Sequence, residues 1–263
     1  MLYQEGSALK KVEWCGYSFL NTDIKKLSLQ FRVGSVLGTG AFHFVNVYSI
    51  VCADKDSRLG SILKSEELIS DGVPISRIIK VVSGQHIHVR GPDFMLYVLR
   101  NCDKNIRHYF LGSTQLNMDL LLSRLKLVNP ELQIAGAHVP DYFENPETEV
   151  QKWFEDIKNS NADIIWVGLG TPKQDFAISL LSKMIPANFI GVGAAFDFLA
   201  GTKPVAPEWI QKIGMEWFFR LIDEPSRLWR RYLIGNLYFL SKFTLPSIKL
   251  FLLMLLRMQN HDK

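Results

Sequence analysis

Short apolar runs alternate with amphipathic segments between about residues 33 and 198, and this alternation most constrains the fold. Apolar runs that end near a glycine are typical of buried strands, whereas apolar residues spaced three and four apart are typical of helices. Strands that alternate with helices predict a Rossmann-like α/β fold, with helices on both faces of a mostly parallel sheet. The predicted strands are 33–37, 67–70, 108–111, 132–135, 164–167 and 189–192, and the predicted helices are 44–53, 116–127, 149–157 and 176–185.

The alternation ends at a proline-rich stretch, residues 204–207, after which no strand pattern returns. Residues 208–222 and 225–240 are predicted to be helices, the second with Pro225 in its first turn. We therefore divide the chain into an α/β core, residues 1–202, and a helical appendage, residues 203–263. The appendage has ten Lys and Arg against five Asp and Glu, a net charge of +5, so the core carries −1 of the chain's +4. Such a basic segment suits either nucleic acid or an anionic membrane surface.

The composition excludes several protein classes. The chain of 263 residues is 48% apolar and 21% charged, which is typical of a globular protein and not of a disordered one. Its three cysteines form no CxxC pair, which excludes a disulfide framework or a zinc ribbon and fits a reducing compartment. Residues 1–11 contain no apolar run of the kind that secretory signals carry. We therefore expect a cytoplasmic protein.

A glycine-rich turn, Gly-Leu-Gly-Thr-Pro-Lys-Gln, spans residues 168–174 directly after a predicted strand. Its glycines allow close approach of the backbone to a ligand, and the N–H groups at the start of the next helix can bind a phosphate. A capped turn without a ligand remains the alternative. The residues that would bind are Gly168, Gly170, Thr171, Lys173 and Gln174.

Two further glycine-rich turns lie at residues 38–43 and 191–197, the latter containing Gly193. None of the three turns completes the GxGxxG pattern of dinucleotide-binding proteins. A nicotinamide- or nucleotide-dependent oxidoreductase is therefore the weaker interpretation.

Asp71 follows the predicted strand 67–70 and precedes Gly72, so its carboxylate is expected at the carboxyl edge of the sheet. Open α/β sheets bind ligands at that edge. The sequence leaves two roles open for Asp71, a general base or an aspartate that bonds to the backbone of its own turn.

The sequence predicts no metal site. Asp54 and Asp56 have the spacing of a metal-binding carboxylate pair, but they end a predicted helix where such a pair would follow a strand. His86 and His88 are predicted to lie on the polar face of a strand.

Three runs together resemble the WecG/TagA/CpsF glycosyltransferases: residues 168–174, residues 191–201 and residues 207–236, the last including Glu216-Trp217 and Glu224-Pro225. The resemblance extends from about residue 33 to residue 240. It implies a GT-E type fold and inverting, metal-independent transfer of a sugar such as N-acetylmannosamine from a UDP-sugar to a polyprenyl-diphosphate-linked acceptor. No cofactor is implied. Members act at the cytoplasmic face of bacterial membranes and build teichoic-acid linkage units, enterobacterial common antigen or exopolysaccharide repeats.

The resemblance also implies roles for individual residues. Asp71 matches the catalytic base, and Thr39 matches a threonine expected near that carboxylate. The family usually has Asn two residues after this threonine, where the chain has Ala41; His43 and Asn46 are candidates to replace the contact. The matched donor-binding residues are Gln174 near the diphosphate, Asp197 near the uracil, Tyr142 (or Phe143) stacked on the base, and Arg220, Arg227 and Arg230 of the appendage.

Arg227, Arg230 and Arg231 have helical spacing and are predicted to form one patch that binds the departing diphosphate. A solvated basic face is the alternative. The uncharged runs beyond residue 232 are too short to span a bilayer, so we predict an interfacial helix on anionic lipid with Lys242 and Lys249 on one face, and no nucleic-acid partner. A homo-oligomer contact is the alternative for that tail, and a non-catalytic membrane module is the alternative for the whole chain.

Overall fold

A mostly parallel sheet runs through the centre of the protein. The structure, a computed structural model, describes residues 9–31 and 39–247, and within these ranges the sheet has eight strands in the order β1-β2-β4-β3-β8-β7-β5-β6. Only the pairing of β1 with β2 is antiparallel. The strands are β1 (Lys11–Trp14), β2 (Tyr17–Leu20), β3 (Ala41–Val45), β4 (Glu67–Ser70), β5 (Arg107–Gly112), β6 (Gln133–His138), β7 (Ile164–Gly168) and β8 (Asn188–Gly191).

Helices connect the strands and cover both faces of the sheet. In the core they are α1 (Ile24–Ser28), α2 (Val47–Lys55), α3 (Ser57–Ser65), α4 (Val73–Ser83), α5 (Gly91–Asn101), α6 (Gln115–Val128), α7 (Pro146–Ser160), α8 (Lys173–Leu181) and α9 (Ala195–Ala200). The appendage contributes α10 (Glu208–Ile213), α11 (Glu216–Asp223), α12 (Pro225–Trp229) and α13 (Gly235–Phe239), with π-helical turns at Arg230–Ile234 and Leu240–Thr244.

Alternation of side chains along the strands places apolar residues on both faces of the sheet. In β7, Ile164 and Trp166 pack beneath α5, α6 and α9, while Ile165 and Val167 face α7 and α8. All four of these side chains are buried. A strand buried on both faces has an unbroken apolar sequence, which is why β7 could be predicted from the sequence.

The predicted α/β class with a mostly parallel sheet is confirmed, but some boundaries were wrong. The predicted helix 44–53 begins at Val47, because Ala41–Val45 form the buried strand β3 and Asn46 caps the helix. The predicted helix 208–222 is two helices, since Gly214 adopts a left-handed conformation (φ +80°) that ends α10. His86 and His88 lie in a loop and not on a strand. The predicted strand 33–37 lies outside the described residues.

The appendage packs against the core through aromatic side chains. Phe239 and Phe243 lie with their ring centroids 6.0 Å from that of Trp14 in β1, and all three are buried. Asp54 accepts hydrogen bonds from the Tyr238 hydroxyl and from Lys242 Nζ, the latter at 2.6 Å. Lys242 and Phe243, which were predicted to contact lipid, are therefore engaged with the protein. Within residues 9–31 and 39–247, no helix is long and apolar enough to cross a membrane.

A buried histidine joins the sheet to two helices near its centre. His43 in β3 is fully buried, with Nδ1 2.8 Å from Asp175 Oδ1 and Nε2 2.6 Å from Glu66 Oε2. Burial alone would lower the pKa of His43, but the hydrogen bonds and charges of the two carboxylates outweigh it and raise the pKa to about 9. His43 therefore does not replace the polar contact of the family loop.

Stability should fall with alkaline pH because of His43. Its pKa is higher in the folded than in the unfolded chain, so its stabilising effect is complete below about pH 6.5 and is lost as the pH rises through about 9. We expect the free energy of unfolding, measured by urea titration, to decrease over this range by on the order of 2 kcal/mol more in the wild type than in His43→Gln. The exposed His86→Gln serves as the matched control and should keep the wild-type slope; equal slopes in wild type and His43→Gln would contradict the assignment.

Candidate functional site

A polar pocket lies at the carboxyl edge of β3, β4, β7 and β8, with a volume of about 210 Å³. The core contributes its floor, and helices α11 and α12 and the following π-helical turn of the appendage contribute one wall. Ligands of open α/β sheets bind at this edge. The predicted site residues that line it are Asp71, Gly168, Gly170, Thr171, Gln174, Gly193, Asp197, Arg220, Arg227 and Arg231.

Asp71 lies at the end of β4, as the sequence predicts. Its backbone N–H donates to the Val45 carbonyl at 2.9 Å, and the N–H of Gly91 is 3.4 Å from its Oδ1. Burial and the nearby carboxylate of Glu216 raise the pKa of Asp71 to about 6, against the opposing effect of Arg90. A carboxylate with a pKa closer to neutrality is a stronger base while remaining mostly ionised at pH 7.

Arg90 and Glu216 form an ion pair across the pocket wall. The Nε and Nη2 atoms of Arg90 each lie 3.3 Å from an oxygen of Glu216, and Nη1 donates to both oxygens of Asp93 at 2.9 and 2.8 Å. Arg90 comes from the start of α5 and Glu216 from the start of α11. This pair therefore joins the core to the appendage beside Asp71.

Gln174 connects the two glycine turns. Its side chain is buried, and its Oε1 accepts the N–H of Gly170 at 3.2 Å and that of Gly193 at 3.1 Å. Gly191 must lack a side chain here, because a Cβ would lie 2.8 Å from the Ile178 side chain and 3.2 Å from Gln174 Nε2. The amide of Gln174 thus holds both turns at the pocket floor.

Asp197 and Glu224 form ion pairs with Lys203 and Arg227 on the opposite side of the pocket. Asp197 accepts a hydrogen bond from Asn117 at 2.7 Å and pairs with Lys203 at 2.9 Å. Lys203 also lies 3.0 Å from Glu224, which in turn bonds to Arg227. The hydrogen bond from Arg227, together with Lys203, lowers the pKa of Glu224 to about 2.

The structure separates the three arginines that the sequence predicts as one patch. Arg227 and Arg231 line the pocket, whereas Arg230 is exposed, with its guanidinium 5.1 Å from the centre of the Trp229 ring. Residues one apart on a helix point in different directions, so Arg230 and Arg231 cannot share a face.

Arg231 contacts aromatic rings and pairs with no carboxylate among the described residues. Its guanidinium lies 4.1 Å from the centre of the Tyr48 ring, and its Nε is buried without a hydrogen-bond acceptor. Burial lowers the pKa of Arg231. An unpaired buried charge is unfavourable, so an anion that entered the pocket would be attracted to this guanidinium.

Thr39 lies on the wrong edge of the sheet for the role inferred from the resemblance. It precedes β3, whereas Asp71 follows the parallel neighbour β4, so about 17 Å of strand separates Thr39 from the pocket edge. The residues of β3 that do reach the pocket are Phe44 and, directly after the strand, Asn46. Asn46, and not the residue at position 41, therefore places an asparagine at the pocket. Phe44 stands two residues before Asn46, which is the spacing at which the family has its threonine.

Lys173 and Tyr142 also lie outside the pocket lining. Lys173 Nζ donates to the Phe143 carbonyl and lies 4.4 Å from the centre of the Tyr142 ring. Tyr142 is 86% exposed. The structure therefore places these two residues in contact with each other and outside the pocket.

Asp54 and Asp56 occupy helix ends, as expected, and Asp56 caps α3 by accepting the N–H of Arg58 at 2.9 Å. In the part of the chain that the structure describes, no three His, Cys, Asp or Glu side chains are placed to hold a metal ion. Arg90 and Lys203 also line the pocket but were not predicted, because isolated basic residues carry no local signal of a site. Glu216 was visible only as part of a family motif.

Comparison with known proteins decides the family. The model of the glycosyl transferase WecG/TagA/CpsF family matches residues 15–250. The chain belongs to this family. It is a glycosyltransferase, and the comparisons do not support the oxidoreductase and non-catalytic alternatives.

Two similar relatives carry the same functional name. An N-acetylglucosaminyldiphosphoundecaprenol N-acetyl-beta-D-mannosaminyltransferase of Bacillus subtilis (strain 168) is 28% identical over 214 residues, covering 80% of this chain and 79% of the relative. A protein of the same name from Bacillus spizizenii strain W23 is 30% identical over 186 residues, covering 69% and 70%. The match to this glycosyltransferase thus spans most of both proteins.

Proposed function

We propose that the protein transfers an N-acetylmannosaminyl group from a UDP-sugar to N-acetylglucosamine carried on a polyprenyl diphosphate. The observation that carries this proposal is the meeting, in one pocket, of a basic carboxylate, two glycine turns and several cationic side chains. The names of the Bacillus relatives supply the transferred sugar and the acceptor. The UDP donor follows from the family resemblance.

The pocket residues act on opposite sides of the anomeric carbon of the donor sugar. Asp71 takes the proton of the acceptor hydroxyl. The oxygen of that hydroxyl bonds to the anomeric carbon from the face opposite to the leaving group, which inverts the configuration. The bond between the anomeric carbon and the diphosphate oxygen breaks, and UDP leaves with the electron pair. Arg231, Arg227 and Arg220 stabilise the charge that forms on the diphosphate.

Loss of the Asp71 carboxylate should remove catalysis but not donor binding. We expect Asp71→Asn to lower kcat by at least about 100-fold in a transfer assay with UDP-N-acetylmannosamine and a prenyl-diphosphate N-acetylglucosamine acceptor, with EDTA present. UDP affinity, measured by calorimetry, should change by less than about twofold. Undiminished transfer by Asp71→Asn would contradict the role of the base, and transfer that stops with EDTA would contradict metal independence.

The pH dependence provides a second readout of the same carboxylate. Because the base must be ionised, kcat/KM should rise with pH through about 6 and level off above it. Glu216→Gln removes a negative charge that raises the pKa of Asp71, so the acidic limb should move to lower pH. The exposed Glu208→Gln, on α10, should leave the limb in place. An unmoved limb in Glu216→Gln would argue against Asp71 as the titrating group.

Arg231 and Arg230 form a matched pair for the diphosphate site. Arg231→Met should weaken UDP binding about tenfold or more, because a charged hydrogen bond contributes about 1.5–3 kcal/mol. Arg230→Met should change the Kd by less than about twofold, since that side chain lies outside the pocket. Calorimetric titration with UDP measures both. Equal effects of the two substitutions would favour a diffuse basic surface.

The appendage also supports peripheral attachment to the cytoplasmic face of the membrane. Trp229, Leu233, Leu237 and Leu240 recur at three- and four-residue spacing and are 42–68% exposed. This exposed stripe lies beside the basic Arg230. Exposed apolar side chains flanked by cations are typical of interfacial helices on anionic lipid. Lys249 and the rest of the predicted interfacial helix lie outside the described residues.

Removing apolar area from the exposed stripe should reduce membrane binding. We expect Leu233→Ser/Leu237→Ser to lower the fraction that sediments with phosphatidylglycerol-containing vesicles by at least about fivefold. Leu116→Ser/Leu127→Ser, which changes exposed leucines of α6, is the control and should sediment like the wild type. Identical sedimentation of all three proteins would exclude the stripe as the attachment site.

A further inference from the structure

A second, apolar groove lies between helix α4 and the end of the appendage. It has a volume of about 410 Å³, within the range of small-molecule sites. On one side it is lined by Pro74, Ile78 and Val82, and on the other by Phe239 and Leu240. Among the described residues of its lining, the charged one is Arg77, whose guanidinium donates to the Ile213 carbonyl at 3.3 Å. The interior therefore offers an apolar ligand mainly hydrocarbon contacts.

The groove begins where the polar pocket ends. Val47 lines the groove and its neighbour Asn46 lines the pocket, while Pro74 lies three residues after Asp71. The two chain segments are in contact at this point, because a Cβ on Gly72 would lie 3.6 Å from the Cβ of Asn46. From Pro74 to Val82 the groove follows about 12 Å of helix away from the pocket.

The other side of the groove continues into the exposed stripe of the appendage. Leu240 belongs to both, since it lines the groove and is 45% exposed. Val81 and Val82 on the facing helix are 45% and 39% exposed, although they are large apolar residues. One apolar surface thus leads from the stripe proposed to contact lipid to the edge of the catalytic pocket.

We propose that this groove binds the first isoprene units of the acceptor's polyprenyl chain, next to the diphosphate. This inference rests on the proposed function, because the ligand is the lipid part of the proposed acceptor. An acceptor of this kind has three parts: a sugar that must reach Asp71, a diphosphate, and a hydrocarbon chain that must extend from the diphosphate out of the polar pocket. The apolar groove at the edge of the pocket can hold this chain and shield it from water.

The test compares two acceptors that differ only in their lipid. N-acetylglucosamine diphosphate carrying a geranylgeranyl chain is compared with the same head group carrying an ethyl group, for the wild type and for Val81→Ser/Val82→Ser. The double variant should raise KM for the geranylgeranyl acceptor about tenfold and leave kcat and KM for the ethyl acceptor unchanged. Leu116→Ser/Leu127→Ser is the matched control and should resemble the wild type with both acceptors. An equal effect on both acceptors, or no effect on either, would overturn the proposal.

Photolabelling provides a readout that does not depend on transfer. A geranylgeranyl diphosphate analogue with a benzophenone at the chain end is irradiated with the full-length protein in the absence of donor, and labelled peptides are identified by mass spectrometry. Label on α4 or on residues 236–247, displaced by unlabelled geranylgeranyl diphosphate, supports the groove even if no transfer is observed. Label confined to residues 248–263 would place the prenyl chain outside the groove and would overturn the proposal. An altered oligomeric state of Val81→Ser/Val82→Ser in size-exclusion chromatography would show that a second copy occupies the groove and would overturn it as well.

Discussion

The ion pair between Arg90 and Glu216 is the interaction on which the geometry of the site depends. It joins a core helix to an appendage helix at the wall of the pocket, with two contacts of 3.3 Å. Arg90 is mostly shielded from solvent, so its charge must be compensated, and Glu216 and Asp93 both do so. Because Glu216 also raises the pKa of Asp71, the contact that positions the appendage also tunes the proposed base. The position of the appendage and the pKa of Asp71 therefore depend on the same residue, Glu216.

In the rest of the pocket, basic side chains surround a floor formed by the two glycine turns. Gln174 holds the two glycine turns, and Asp175, the next residue, anchors the same helix to His43 in the sheet. The floor is therefore rigid because neighbouring side chains of one helix bond to three different elements. Arginines on the appendage supply the charge, and most of them already have a carboxylate or aromatic partner. Preorganised cations of this kind stabilise a leaving group without reorganisation during the reaction.

The last helical segment of the appendage has apolar side chains on two faces. Leu228, Tyr232, Phe239 and Phe243 are buried, whereas the residues of the exposed stripe on the other face are 42–68% exposed. A helix with only one apolar face would be satisfied by packing on the core. The second apolar face is the physical reason to relate this segment to lipid, and the groove beside α4 extends the same apolar surface to the pocket.

The pattern of residues predicts the α/β class, most strands of the sheet and the position of Asp71, because strands buried on both faces are continuously apolar and an acidic residue before glycine marks the strand end. It also determined the family, since the motifs from residue 168 onward are specific. Three facts are visible only in the folded chain: Asn46 and not Thr39 reaches the pocket, Arg230 turns away from it, and Arg90 meets Glu216 beside Asp71. These facts depend on which edge of the sheet a loop occupies and on contacts between residues more than a hundred positions apart, neither of which local residue patterns encode.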